Sequence, residues 1–166
     1  MLIKKIISLI FLCLLLVGCG FHLRSAQDFP PQLRTLNLKT PNPYSSFTTS
    51  LTDLLTSMNV QLTKNAPYTL NISQIEFNNP QAAITTTTQA VTYTYTLTIT
   101  YSIEKHSKVI VAPQTLTTSQ SVMMNVNQIY NSNSSALTQR ELEHTMMDLL
   151  YNQFISDNVR MALEKS

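Results

Sequence analysis

Cysteine is the residue type in this chain whose placement points most directly to a chemistry. Both cysteines, Cys13 and Cys19, lie within the first 19 of 166 residues. The remainder of the chain therefore holds neither a disulfide framework nor a cysteine-ligated zinc site. Cys19 follows Gly18 and an apolar run over residues 6–17, so its sulfur is the first candidate for covalent modification.

The segment before Cys19 has the parts of a secretory signal peptide. Lys4 and Lys5 give a positive start, and the apolar run of residues 6–17 is too short to span a bilayer, which needs about 20 helical residues. The run ends in Leu16-Val17-Gly18-Cys19, which resembles a bacterial lipobox. This resemblance implies cleavage after residue 18, diacylglyceryl transfer to the Cys19 sulfur and acylation of the new amino terminus. An ordinary signal peptide that ends in cysteine by chance is the alternative.

Acylation at Cys19 predicts a permanent membrane anchor. A buried CH₂ contributes about 0.8 kcal/mol, and two or more acyl chains hold a protein stably on a bilayer. Gly20 follows Cys19, where an Asp would, by analogy with lipoprotein sorting, retain the protein in the inner membrane. The expected location is the periplasmic face of the outer membrane.

Histidine and glycine offer little support for catalysis. His22, His106 and His144 form no H-E-x-x-H or other close pair, so no local metal motif exists. Gly18 and Gly20 are the only glycines, which excludes a glycine-rich phosphate loop, a dinucleotide fingerprint and a G-x-S-x-G elbow. A Ser–His–Asp set assembled in space stays open. We predict a protein that is not an enzyme and uses no cofactor and no metal.

A small basic cluster lies between two long strand patterns. Lys105, His106 and Lys108 follow Glu104 in a predicted turn over residues 104–108. The functional interpretation is a contact with a phosphate or another anion, such as a glycolipid head group. The alternative is a solvated hairpin turn.

The alternation over residues 91–103 predicts a strand with one apolar and one hydroxyl face. A solvent-exposed strand usually carries some charge, but this one carries none. Its threonines either reflect strand propensity or form a face that docks on another polar protein surface, where hydroxyls adapt and unpaired charges are costly. The candidate interface residues are Thr92, Thr94, Thr96, Thr98 and Thr100.

The charge content excludes another class of partner. Charged residues make up 12% of the chain, about half the usual share. Removal of residues 1–18 takes away Lys4 and Lys5 and leaves nine basic and nine acidic residues. Because nucleic-acid binding depends on a strong excess of positive charge, we do not expect it here. A chain with no net charge is also prone to association.

The remaining patterns predict the elements that position these groups. Residues 33–38 predict a strand, and apolar residues spaced from 47 to 58 predict an amphipathic helix that Ser45 or Ser46 caps. A change of phase near Ser73 predicts a β-bulge. Pro113 interrupts the returning strand, over residues 109–122, and predicts either an edge position or a bulge there. A loop over residues 131–135 precedes a capping box at Thr138–Glu141, which opens a second helix that continues to about residue 163.

This order predicts one α+β domain over residues 32–166, a two-layer sandwich. Two helices should pack on one face of a small mixed sheet of about four strands. Residues 1–18 form the removed signal peptide, and residues 19–31 form the lipidated amino terminus and a tether.

The start of the mature chain resembles a known family. Cys19-Gly20-Phe21-His22-Leu23-Arg24, a lipidated cysteine followed by G-F-x-L-R, is similar to the start of the LptE (RlpB) family of lipopolysaccharide-assembly lipoproteins. The first strand, the entry to the first helix at residues 41–45, the long Thr/Tyr strand and the terminal helix agree in outline with the same family.

The resemblance implies a function and a partner. The chain would plug the LptD β-barrel of the outer-membrane lipopolysaccharide translocon, assist its assembly and help deliver lipopolysaccharide to the cell surface. It would need no cofactor and catalyse no reaction. Lys105 and Lys108 are candidate lipopolysaccharide contacts by position, since the motif assigns none. The alternative is a free-standing lipoprotein that binds a lipid or cell-wall ligand without a barrel partner.

Overall fold

The computed structural model describes residues 28–78, 83–84, 90–125 and 132–166. Cys19, the predicted signal peptide and the predicted tether up to residue 27 lie outside these ranges. A 3₁₀ turn at Pro31–Arg34 precedes the first strand. The helices are α1 (Ser46–Ser57), α2 (Ser132–Phe154) and α3 (Asp157–Glu164). The strands are β1 (Thr35–Lys39), β2 (Gln61–Leu62), β3 (Tyr68–Asn78), β4 (Ala83–Ile84), β5 (Ala90–Lys105) and β6 (Lys108–Asn125).

These elements form the predicted α+β sandwich on a mixed sheet. The strand order is β2–β1–β3–β5, and β4 and β6 both pair with β5. β1 is parallel to β2 and β3, whereas the remaining pairs are antiparallel. The described strands number six rather than about four, because β2 and β4 have two residues each and are too short to show a period.

The β5–β6 hairpin follows the predicted alternation. Odd-numbered residues of β5 from Tyr95 to Ile103 are buried in the core. The connecting turn is tighter than predicted, since only His106 and Ser107 lie between the strands, with φ angles of 47° and 68°. Two successive residues with positive φ fit the twist of a two-residue hairpin. Lys105 and Lys108 therefore lie directly opposite each other.

Two irregularities in the sheet match the sequence. The register between β3 and β5 shifts between Ile72 and Gln74, so that Ser73 forms the predicted bulge. Pro113 lies in β6, which pairs only with β5 among the described residues. An edge strand accepts proline because its outward amide needs no partner.

Helix α1 forms where the apolar spacing predicts it. The Ser45 side chain accepts a hydrogen bond from the Thr48 amide at 3.2 Å, which confirms the predicted cap. Asn59, with φ of 58°, ends the helix in the left-handed conformation. Leu51 and Leu55 are fully buried between the helix and the sheet, so packing stabilises this threonine-rich helix.

The carboxyl-terminal helical region differs from the prediction at both ends. Helix α2 begins at Ser132, so the predicted loop over residues 131–135 and the capping box at Thr138 are wrong. Thr138 is 4% exposed inside the helix, because packing on the sheet overrides its preference for a cap. The single helix expected to about residue 163 ends at Phe154, and α3 follows. Ser156 donates from Oγ to the Gln153 carbonyl at 2.6 Å, a local bond that competes with helix continuation.

The core lies between the sheet and the three helices. Phe154 contacts Phe29 and Tyr101 edge to face, with ring centroids 5.8 and 6.1 Å apart. Phe29 is 2% exposed, so packed residues begin ahead of residue 32. Within the described ranges, no helix combines the length and apolarity needed to cross a bilayer.

Candidate functional site

The five candidate interface threonines lie on the sheet face opposite the helices. The odd-numbered residues of β5 pack against α1, α2 and α3 in one core. The intervening residues therefore point to the other side, where Thr94 is exposed and the other four are partly buried. The structure brings the threonines of β5 and the hydroxyl residues of β6 together into one surface, which we call the hydroxyl face. Its members are Thr92, Thr94, Thr96, Thr98, Thr100, Thr115, Thr117, Ser119 and Ser121.

Cross-strand hydroxyl pairs organise this face. Thr94 lies 2.9 Å from Ser121, between side-chain oxygens. The pair Thr98–Thr117 measures 3.2 Å, and the pair Thr100–Thr115 measures 3.1 Å. A hydroxyl both donates and accepts, so each pair retains capacity for a bond to a second molecule. Sequence reasoning missed the β6 half of the ladder because residues 115–121 have no apolar alternation as regular as that of β5.

The hydroxyl face carries no charge of its own. Residues 77–103 and 109–125 contain no Asp, Glu, Lys or Arg. The nearest carboxylate in the register is Glu76 of β3, which pairs with Thr98. Such a surface pairs with varied polar groups without leaving a buried charge uncompensated.

The predicted basic cluster lies at the end of the hairpin and lines a cleft of about 780 Å³. Lys105 donates from Nζ to the Ser166 carbonyl at 2.7 Å, and its Nζ lies 5.5 Å from the centroid of the Tyr68 ring. Lys165 of the carboxyl-terminal segment joins the cleft. It lies 57 residues after Lys108 in the sequence, so no local pattern could have found it.

Apolar side chains accompany these cations. Val109 and Met161 are 51% and 49% exposed, respectively, and both line the cleft. We name this site the basic cleft, defined by Lys105, His106, Lys108, Val109, Met161 and Lys165. Cations beside exposed apolar groups suit an anionic amphiphile, since ammonium groups bind phosphate oxygens and the apolar side chains contact hydrocarbon.

Among the described residues, the titratable side chains form no cluster of metal ligands. His144 Nδ1 lies 4.0 Å from Asp148 Oδ2, one helical turn away, and both side chains are substantially exposed. His106 lies in the hairpin turn, and His22 lies outside the described residues. Over the described ranges, no three His, Cys, Asp or Glu side chains are placed to hold a metal ion.

One buried carboxylate links the two longer helices. Glu143 of α2 is 3% exposed. Its Oε1 accepts hydrogen bonds from Ser46 Oγ of α1 at 2.6 Å and from Gln139 Nε2 at 2.9 Å. The two donors satisfy a buried acceptor that would otherwise destabilise the fold, so the role of Glu143 is to hold α1 against α2.

Comparison with known proteins supports the fold and the family. One protein, the LPS-assembly lipoprotein LptE of Pectobacterium atrosepticum, is 38% identical over 53 residues, which cover 32% of this chain and 29% of that relative. The aligned segment thus spans less than a third of the relative. A solved minor lipoprotein from Acinetobacter baumannii superposes with a TM-score of 0.64 at 22% identity and covers 74% of this chain and 91% of its own.

A second solved structure gives the same fold. Lipoprotein B from Nitrosomonas europaea superposes with a TM-score of 0.64 at 10% identity, over 88% of this chain and 96% of its own. At such identities the likeness supports the architecture alone. The family model described as LptE, lipopolysaccharide-assembly, matches residues 33–157, a span that holds the hydroxyl face, α1, α2 and most of the basic cleft. The chain therefore belongs to the LptE family of lipopolysaccharide-assembly proteins.

Proposed function

We propose that the mature chain is a lipid-anchored component of the outer-membrane lipopolysaccharide translocon, in which it plugs the LptD β-barrel and assists its assembly. The observation that carries the proposal is the uncharged hydroxyl face on the sheet side that no described helix covers. The interior wall of a large outer-membrane barrel is polar. A surface of paired hydroxyls meets such a wall without the desolvation penalty of a buried unpaired charge.

Anchoring forms the second part of the proposal. Cleavage after residue 18 and acylation of Cys19 place the domain on the periplasmic side of the outer membrane. A domain held there meets a barrel at the membrane where both reside, so that the anchor raises the effective concentration of the two partners.

Lipopolysaccharide delivery forms the third part. Lys105 and Lys108 present cations on adjacent strands at the rim of the basic cleft, and we propose that they contact the phosphates of lipopolysaccharide. The apolar Val109 and Met161 lie beside them, as an amphiphilic ligand requires. This role consists of binding and assembly and includes neither a catalytic step nor a cofactor.

The direct test introduces a charge into the hydroxyl face. In the full-length lipidated protein, Thr94→Lys should abolish co-purification of LptD from outer membranes in mild detergent. Thr94 lies opposite Ser121 and away from Glu76, so the new ammonium would be buried unpaired at the interface, which costs several kcal/mol. Thr56→Lys on the exposed side of α1 is the matched control and should retain a one-to-one complex. A one-to-one complex with both variants would contradict the proposed interface.

A free-standing binding module is the second candidate, and the basic cleft is the observation that favours it. In that case the lipoprotein is recovered alone and LptD assembles normally in its absence. Lys108→Ala should then weaken binding of a lipid ligand while the hydroxyl-face variants leave it unchanged.

A further inference from the structure

The lysines of the described residues are concentrated at one end of the sheet. This end, which we call the anchor end, contains the turn between β5 and β6, where Lys105 and Lys108 face each other. Lys165 lines the same cleft. Lys39 pairs with Asn71, whose other partner is Ser102, three positions from Lys105. Lys64 follows Thr63, whose amide donates to the Leu36 carbonyl at 2.9 Å, and Leu36 pairs with the first residue of β3.

Although the mature chain has no net charge, its basic and acidic side chains are unevenly distributed over the described structure. Arg34 and Arg160 bring the basic side chains of the anchor end to seven. Five acidic residues share that end: Asp28, Asp53, Glu104, Asp157 and Glu164. The rest of the described structure has Arg140 against four acidic residues, namely Glu76, Glu141, Glu143 and Asp148. The anchor end is therefore positive and the remainder negative.

The chain enters the domain at this same positive end. Arg160 of α3 donates from Nη2 to the Asp28 carbonyl at 3.0 Å, and Phe29 is buried against Phe154. Cys19 precedes Asp28 by nine residues, which span at most about 30 Å in any conformation. Helix α3 holds both the entry point and two members of the basic cleft, Met161 and Lys165.

We propose that the anchor end docks on the anionic phospholipid surface of the leaflet that holds the Cys19 lipid. The inference rests on the proposed acylation of Cys19, and phospholipid occupies the basic cleft while no lipopolysaccharide is bound there. Lysines near an anionic bilayer each gain about 1 kcal/mol, and exposed Met161 and Val109 insert at the level of the head groups. Docking orients the molecule, because it holds the turn between β5 and β6 at the level of these head groups, while the uncharged residues of both strands extend up to about 50 Å from the turn toward the barrel lumen.

Lysine reactivity in vesicles tests the inference. The full-length lipidated protein is reconstituted in phosphatidylcholine vesicles with or without phosphatidylglycerol, and amine acylation of each lysine is followed by mass spectrometry. With phosphatidylglycerol, Lys39, Lys64, Lys108 and Lys165 should react about fivefold more slowly, the factor that corresponds to about 1 kcal/mol. High salt should remove the protection. A reporter introduced as Ala136→Lys, at an exposed position of α2 far from the anchor end, should react equally in both vesicles.

Charge reversal supplies the matched variants. The exposed pair Lys39→Glu and Lys64→Glu should remove the protection of Lys165, whereas Arg140→Glu at the opposite end should leave it intact. Equal acylation rates in the two vesicle types overturn the inference. Protection that requires added lipopolysaccharide also overturns it, but leaves the proposed function in place. If LptD fails to co-purify while phosphatidylglycerol still protects the lysines, the proposed plug function is refuted instead and the docking inference stands.

Discussion

The two faces of β5 differ sharply, although they are made from alternate residues of one strand. On the inner face, Leu97 and Ile99 are 2% and 0% exposed in the core. On the outer face, the hydroxyls of Thr98 and Thr100 lie 3.2 and 3.1 Å from hydroxyls of the neighbouring strand. Burial of apolar side chains is the main source of folding free energy, so the inner face holds the domain together. The outer face contributes little to stability and is free to serve recognition.

The largest expected effect comes from removing apolar volume on the inner face. Ile99→Ala should lower the free energy of unfolding by about 3 kcal/mol, because it leaves a cavity in a core that relaxes incompletely. Urea denaturation followed by circular dichroism measures the change. Thr98→Ala, one residue away on the outer face, should change stability by only about 0.5 kcal/mol. Similar losses for the two variants would remove the distinction between the faces.

A smaller effect tests whether the hydrogen bonds of Glu143 help to hold α1 and α2 together over the inner face. Glu143→Ala should destabilise the domain by about 2 kcal/mol, since Ser46 and Gln139 lose their buried acceptor. Glu143→Gln keeps an acceptor oxygen and should lose less. Thermal unfolding of both variants compares them. If Glu143→Ala were as stable as the wild type, the helices would be held by apolar contacts alone.

The smallest effect concerns a hydroxyl group buried within the apolar inner face of β5. The Tyr101 hydroxyl is buried without a hydrogen-bond partner, and burial raises the pKa of Tyr101 above its ordinary value of 10.0. Tyr101→Phe should therefore be neutral or stabilise the fold by about 1 kcal/mol at neutral pH.

The pH dependence gives this last prediction a second readout. The unfolded chain ionises Tyr101 near pH 10, whereas the folded chain resists ionisation. Stability from the neutral hydroxyl is thus fully present below pH 10 and is lost as the pH rises above it. Tyr101→Phe should reduce the alkaline loss, and Tyr44→Phe, at a side chain 95% exposed, should not. Identical alkaline transitions in the two variants would contradict the assigned burial effect.

Much of the fold followed from local patterns. The alternation over residues 91–103 determined which side of β5 is buried, and the phase change near Ser73 marked a bulge that the register confirms. Ser45 or Ser46 was expected to cap the helix from its position ahead of an apolar helical stripe, and the structure shows that Ser45 does so. These features depend on neighbouring residues in the chain, where a period or a turn residue carries the information.

The errors arose where long-range packing overrides local preference. Thr138 is the first residue of a capping-box motif, but it lies inside α2. No periodicity in the sequence predicts the break between α2 and α3 at Ile155 and Ser156. The same holds for the pairing of β2 and β4, which have two residues each. Local propensities amount to tenths of a kcal/mol per residue, so burial of a helix face outweighs them.

Local patterns along the chain were enough to predict the alternating faces of β5, the uncharged stretches beside them and the cysteine context that implies an anchor. The three-dimensional packing was needed to establish that β6 completes the hydroxyl face and that Lys165 joins Lys105 and Lys108. It also decided that Arg160 holds the entering chain at the end where the lysines gather. The composition gives the number of charged residues, but their positions in space depend on the fold. Residues far apart in sequence become neighbours when apolar surfaces are buried.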